Sequence, residues 1–397
     1  MGSVSGGDKV EHSETAQGNA AFGSYLKKVR EGRRLSLDAV EELSAGFPEK
    51  VTKSHLSRIE NGLALPSFPR LMALSHIYGM PIASLAERYE LDLRRGMTPV
   101  DLAGKSDEEI YAEVDRLRAA GCFAEGLVLA LAALDRGLSK GSAREIELRL
   151  QVVNCLVQLD RFEFAKSLCE ELLSAKLPHA LRLICTEYFA ISCARLGRYA
   201  VALMALEQVG GELDNPDTPL RLRADLSAVT GNTYLDSGDF PRAIIEFTRA
   251  RQAYLALPRP LEACRTGLAL SQAYIDADRF DDAARTIQSE LVVAETNGYE
   301  RQKGIAYSNL CLLAFKRGEH ESSEAHAIRS NLIARKMEHD EVIFRNTYYL
   351  WKIALDRGDV SAIRSNERAL RVTLGRIEYR LPEADLFREY LSRGDHD

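Results

Sequence analysis

Most of the signatures that mark an enzyme, a membrane protein or a disulfide-stapled domain are missing from this chain. Its 397 residues contain no phosphate-binding P-loop, no His-Glu-x-x-His pair, no Gly-x-Ser-x-Gly elbow and no dinucleotide-binding glycine fingerprint. No catalytic residue and no cofactor is therefore expected, and an enzyme is disfavoured. No apolar run approaches the ~20 residues that span a bilayer, and the N-terminus lacks a basic-then-apolar leader. A cytoplasmic protein with no membrane partner is the expectation. The seven cysteines (122, 155, 169, 185, 193, 264 and 311) are scattered and form no Cys-x-x-Cys, which argues against a zinc ribbon or disulfide framework. His320, Glu324 and His326 come nearest to a metal cluster. On a helix, however, position 326 points away from 320 and 324, so no metal site is expected.

Positive charge is also scarce overall, with a formal net charge of −6. The deficit is uneven. Residues 20–95 hold 12 Lys and Arg against 9 Asp and Glu, a balance of +3, whereas residues 1–19 stand at −2 and residues 96–397 at −7. A mildly basic front on an acidic body suits a protein that meets a polyanion with one end only.

Within that basic front, Thr52-Lys53-Ser54-His55-Leu56-Ser57-Arg58-Ile59-Glu60-Asn61-Gly62 reads as one short helix between a capping threonine and an Asn-Gly stop. Leu56 and Ile59 bury one side, leaving short or basic groups on the others. Residues 1–19, rich in Gly, Ser and Glu, read as a disordered tail. Helices are predicted over about 20–32, from Ser36 through Leu43, over 52–61, over 67–78 and over 81–89, with a linker at 93–106. Together these segments, best matched at Ile59-Glu60-Asn61-Gly62 and Pro66-Ser67, resemble the five-helix helix-turn-helix domain of the phage-repressor-like (XRE) transcription factors, here over residues 20–92. The resemblance implies a double-stranded DNA operator as partner. Lys53, Ser54 and Arg58 would face base edges, His55 and Ser57 bases or phosphates, with Thr52 capping and Asn61 holding phosphate oxygens. It also implies a buried ion pair, Arg30 with Glu60. Three positions depart from the pattern: Leu37 stands where a polar phosphate contact is usual, Glu41 where a small residue is usual, and the turn Ala45–Lys50 is about five residues long beyond the common form.

Behind the head the sequence repeats. Phe123, Phe162, Tyr199, Phe240, Phe280, His320 and Val360 follow similar polar turns at intervals of 39, 37, 41, 40, 40 and 40 residues. A small residue commonly stands three positions on. Residues 107–391 thus resemble tetratricopeptide repeats, stretched beyond the usual ~34 residues, with Pro382–Leu391 as a capping helix. The fold class is all-α: a five-helix helix-turn-helix domain followed by a tetratricopeptide-like right-handed superhelix. Counting back from the turn aromatics, to offsets that in the repeat family face the concave side, eight residues give Asn154, Asn232 and Gln272, eleven give Asn309 in the sixth unit, and four give Gln158, Arg195 and Lys316 as candidate ligand contacts.

A repressor-like head on such repeats is similar to the peptide-sensing quorum regulators of Gram-positive bacteria. That architecture implies a homodimeric transcriptional regulator whose groove takes a short peptide or protein segment and so sets the spacing of its heads. The alternatives are a repeat scaffold that sequesters a partner protein with a vestigial head, and an antitoxin-like autorepressor.

Overall fold

Helix α1 (Glu14–Gly32) begins six residues before its predicted start, so Glu14–Asn19 is helical rather than tail. The computed structural model describes residues 14–97, 102, 104–135, 142–377 and 381–394, and the expected disorder of residues 1–13 lies outside them. All regular structure among the described residues is helical. Helix α2 (Leu37–Leu43) is capped by Ser36, whose hydroxyl accepts the Ala39 amide. After a 3-10 turn at Ser44–Gly46 come α3 (Lys53–Glu60), α4 (Phe68–Ile77) and α5 (Ile82–Met97). The long turn before α3 is pinned inward: Ser44, fully buried, donates to the Glu41 carbonyl and accepts the Val51 amide (both 2.9 Å). Leu37 turns its side chain to the head core, formed by Phe22, Leu26, Val40, Leu56, Ile59, Leu74 and Leu85.

Helix α5 runs past its predicted end at Tyr89, because Leu91 is buried and the Asp92 carboxylate accepts the Phe22 amide of α1 (3.2 Å). Where α1 crosses α3 the backbones touch. A Cβ at Gly23 would stand 2.2 Å from the Ile59 carbonyl oxygen, so only glycine fits.

The repeats are antiparallel helix pairs. The first are α6 (Asp107–Ala119) with α7 (Phe123–Asp135), α8 (Ala143–Gln158) with α9 (Phe162–Leu173), and α10 (His179–Arg195) with α11 (Tyr199–Gln208). Then follow α12 (Leu220–Ser237) with α13 (Phe240–Ala256) and α14 (Pro260–Asp276) with α15 (Phe280–Asn297). The last are α16 (Glu300–Lys316) with α17 (His320–Lys336) and α18 (Asp340–Arg357) with α19 (Val360–Leu374), closed by α20 (Pro382–Gly394). Every periodic residue in the sequence is the first residue of the second helix of a pair. Two positions earlier the chain takes a left-handed φ at Gly121, Asp160, Gly197, Gly238, Asp278, Gly318 and Gly358. The amide that follows donates to the carbonyl five residues back, from Cys122 to Leu117 (2.9 Å) through Asp359 to Ala354 (3.0 Å). This is one Schellman stop used seven times. Three residues into the second helix of the first six pairs stands a small residue, and Ala165, Ala202, Ala243, Ala283 and Ser323 are all fully buried, whereas α19 carries Ile363 there.

The chain divides into two compact units, one ending at Leu172 and the other starting at Leu173. In the second, Phe387 of α20 packs on Trp351 (5.4 Å between rings) and Phe344 (6.2 Å) and covers the last pair.

Candidate nucleic-acid interface and inner repeat face

The candidate reading helix α3 is held from beneath by a charge pair. Arg30 Nε donates to Glu60 Oε1 (2.7 Å) and Nη2 to Oε2 (2.8 Å), while Nη1 reaches the Leu35 carbonyl (2.9 Å). Both residues are buried, and the fork geometry ties α1 to α3 at a fixed angle. Glu60's hydrogen bonds push the Arg30 guanidinium above its ordinary range.

Above that support, α3 presents its outer face to solvent. Lys53, Ser54 and Arg58 are exposed, and His55 and Ser57 are half-buried. Thr52 Oγ1 accepts the His55 amide as N-cap, and Asn61 Nδ2 closes the other end on the Ser57 carbonyl (2.7 Å). Arg58 Nη2 makes one long bond, to the Leu63 carbonyl (3.4 Å). His55 Nε2 lies 3.2 Å from Arg70 Nη1. Burial, followed by the Arg70 and Arg58 charges, lowers the imidazole below its usual range, so the neutral ring accepts from Arg70.

Sequence reasoning missed the acids around this face. Glu41 Oε2 accepts the Lys53 amide (2.6 Å) and Oε1 pairs with Lys50 (2.8 Å), so its carboxylate sits on the N-terminal dipole of α3. Asp38 pairs with Lys53 Nζ (2.9 Å) and Glu49 with Arg70 (2.9 Å). Glu41 does not crowd the helices, because its side chain lies along the turn and not in the crossing. Three cations beside the reading helix therefore rest on carboxylates of the same domain. The only sequence signal was Glu41's misfit to the family pattern.

The seven candidate ligand contacts divide between the units. In the first, Asn154 is half-buried and Gln158 exposed, both on α8. In the second, Arg195, Asn232 and Lys316 are exposed or half-exposed, and Asn232 donates to the Ala228 carbonyl of its own helix (2.9 Å). Gln272 Nε2 donates to Asp276 (2.9 Å) and its Oε1 accepts Arg345 Nη1 (3.2 Å) from α18. Asn309 does not belong with them. It is 1% exposed, and its amide donates to the Leu268 carbonyl (3.0 Å) and Ser271 Oγ (2.9 Å), joining α16 to α14. The offset of eleven residues lands on a helix–helix seam, not on the open face.

A polar centre that the offsets did not find surrounds Gln272. Arg345 also donates to Glu341 (3.3 Å) and lies 4.0 Å from Glu383, which accepts the Tyr349 hydroxyl (2.9 Å). Burial pushes the Asp236 carboxyl up to about 6 against the pull of Arg195, although the residue is exposed. Burial and the neighbouring Asp225 push half-buried Glu187 up to about 8. Asp236 and Asp276 stand four residues before their turn aromatics, as Gln158, Arg195 and Lys316 do, so the pattern already contained them. Glu324, the middle member of the weak metal-like triplet in the sequence, pairs with Arg357 (2.7 Å).

Residues 21–88 match the family model described as a helix-turn-helix domain. No curated protein sequence matches the chain. Among solved structures, the chain is similar to Bacillus thuringiensis PlcR in complex with the peptide PapR7 and DNA. That match has 14% identity, 70% of this chain and 97% of the other, and a TM-score of 0.39. Apo RapI matches at 13% identity over 70% of this chain and 78% of its own, TM-score 0.51. A Pyrococcus horikoshii signal-transduction ATPase with a tetratricopeptide repeat sensor matches at 12% identity over 97% of this chain and 63% of its own, TM-score 0.52. The likeness to the last two is one of fold. The chain therefore carries a helix-turn-helix domain at residues 21–88, followed by an array of tetratricopeptide-like helix pairs.

Proposed function

We propose that the protein is a sequence-specific DNA-binding transcriptional regulator. One observation carries this reading: a capped α3, locked to α1 by a buried ion pair, leaves Lys53, Ser54 and Arg58 open to solvent. A helix so supported fits the major groove, where the Arg58 fork suits guanine O6 and N7. Thr52, His55, Ser57 and Asn61 complete the contact set at its ends and flanks. The protein acts as a homodimer, since one short helix reads too few bases, and paired half-sites lie about one helical turn apart.

The repeat pairs bind a short peptide or a protein segment on their inner face, and this ligand favours one spacing of the heads over another. The half-buried and exposed polar groups Asn154, Gln158, Arg195, Asn232, Gln272 and Lys316, with the charged centre at Arg345, support that reading. Selection from a random duplex library with the full-length protein tests it. Enriched sequences should share two related half-sites, and Arg58→Ala should weaken binding to them roughly tenfold or more, from the ~1–3 kcal/mol of a bidentate base contact. Failure to enrich any sequence would leave the head a vestige on a repeat scaffold.

A further inference from the structure

The head meets the repeats through α5, with Arg88 at the centre of the contact. Arg88 of α5 lies flat between two rings, its guanidinium carbon 3.8 Å from the centre of Tyr25 on α1 and 3.9 Å from that of Phe164 on α9. Its edge donates to Ser167 Oγ (3.2 Å) and reaches Glu171 Oε1 (3.5 Å), both on α9. Arginine suits this place because the planar cation stacks on both faces while its nitrogens bond sideways. Only 11% of the side chain is exposed.

Two further contacts bind the same helices. The Glu87 carboxylate accepts the Phe164 amide (3.2 Å), the third residue of α9. An acid of the head thus performs for α9 what a capping side chain performs elsewhere. Glu90 pairs with Arg161 (2.9 Å) at the start of the same helix. By contrast, apolar packing beside this cluster is incomplete. A cavity of about 270 Å³ remains between Leu91 and the repeat residues Leu127, Val128 and Leu159. The tie therefore falls on the polar and aromatic cluster.

We infer that Arg88 is a positioning residue, which clamps the helix-turn-helix head to α9 so that the direction of α3 follows the first repeat pairs and not the segment joining α5 to α6. In calling the head a reader this rests on the function proposed above, but the clamp itself does not depend on DNA. A signal that reorients α9 would carry the reading helix with it, without any change inside the head.

Backbone 15N relaxation on the deuterated full-length chain tests the clamp. In the wild type, amides of α3 and α9 should report one correlation time. Arg88→Gln should roughly halve the value for α1–α4 and leave α9 unchanged, while the Leu56 and Ile59 amides keep their exchange protection. Phe164→Leu, which removes one ring from the repeat side, should give a smaller change in the same direction and covers the case of an unfolded Arg88→Gln head. A folded head that tumbles with α9 in both variants overturns the inference, as does an unfolded Arg88→Gln head combined with unchanged tumbling in Phe164→Leu. If the head is released as described but no duplex is ever selected, the clamp stands and the DNA reading fails.

Discussion

Glu60 in the head and Glu187 in the repeats are both glutamates drawn away from water, and the two regions treat them in opposite ways. Glu60 is met by an arginine fork of two hydrogen bonds, buried between α1 and α3. Around Glu187 the charges of Arg221 and Arg265 fail to offset burial and the charge of Asp225, so its carboxyl is pushed up to about 8. The head has few contacts and makes each one obligatory, as at Gly23, where no side chain fits. The repeats use the same turn and the same small-residue crossing again and again, so no single copy decides the fold. An unmatched carboxyl is tolerated at Glu187 because neighbouring copies carry the stability, although the repeats also match a buried acid, Glu290, with Arg251 (2.6 Å). A head that must hold a helix at a fixed angle has no such reserve.

The sharpest way to break this contrast is to remove Glu60. Glu60→Ala leaves Arg30 buried without its partner and should cost about 3–5 kcal/mol, with the loss confined to α1–α5. Native-state hydrogen exchange reads it region by region, which a single melting curve of a multi-unit chain does not. Exchange that accelerates equally in α12–α16 would show that head and repeats do not differ as argued.

Glu187→Gln should act in the other direction. A carboxyl whose folded value is raised from 4.5 to about 8 keeps its proton in the folded chain while the unfolded chain has lost it. Its contribution is thus fully present below about pH 4.5 and is lost as pH rises through about 8. The glutamine, which does not titrate, should gain stability over wild type progressively between those limits and hold a constant advantage above them. Urea unfolding at pH 5 and pH 8.5, followed in α10–α14, measures the difference. An advantage that does not grow between the two pH values would mean that Glu187 has already lost its proton in the folded chain at pH 5.

How much of this was legible in the sequence follows the same division. The repeat turns could be read because all seven take a left-handed residue and most add an aromatic and a small residue at fixed spacing. The head could be read from the Ile59–Gly62 block and its caps. Side-chain partnerships between distant elements could not. Nothing local to Asp38, Glu41 and Glu49 says that they neutralise Lys53, Lys50 and Arg70, and nothing near Arg88 announces Phe164, 76 positions on. Offsets placed Gln272 where it is half-buried and bonded to Asp276 and Arg345. They failed at Asn309, since a helix surface turns 100° per residue and eleven residues back lies close to the seam.

Asn309 offers the next test. As a seam residue, its replacement by alanine should leave Ser271 Oγ without its donor, while the Leu268 carbonyl keeps the Ser271 hydroxyl (2.7 Å), and cost about 1–3 kcal/mol. Exchange should speed up in α14 and α16 and stay unchanged in α1–α5. Unaltered protection with weakened binding of a selected peptide would return Asn309 to the ligand contacts and reduce the contrast between seam and open face.

The smallest effect expected concerns the acids around α3. Asp38 and Lys53 are largely exposed, so their pair contributes only about 0–1 kcal/mol to folding, and Asp38→Asn should leave stability unchanged. On a polyanion the balance differs. Lys53 must exchange a carboxylate for a phosphate when the helix docks, and Asp38 stays nearby to repel it. Removing that charge should tighten binding to a random-sequence duplex by up to about fivefold at low salt, and steepen the slope of log affinity against log salt by about 0.9, the share of one phosphate contact. The matching change in the repeats, Asp281→Asn, frees Arg317 from a pair of similar length and should alter neither quantity. If both variants raised affinity alike, the repeats would be touching DNA as well, and the division of labour between the regions would disappear. If only Asp38→Asn does so, the head's own acids set how strongly it holds DNA, at almost no expense to its fold.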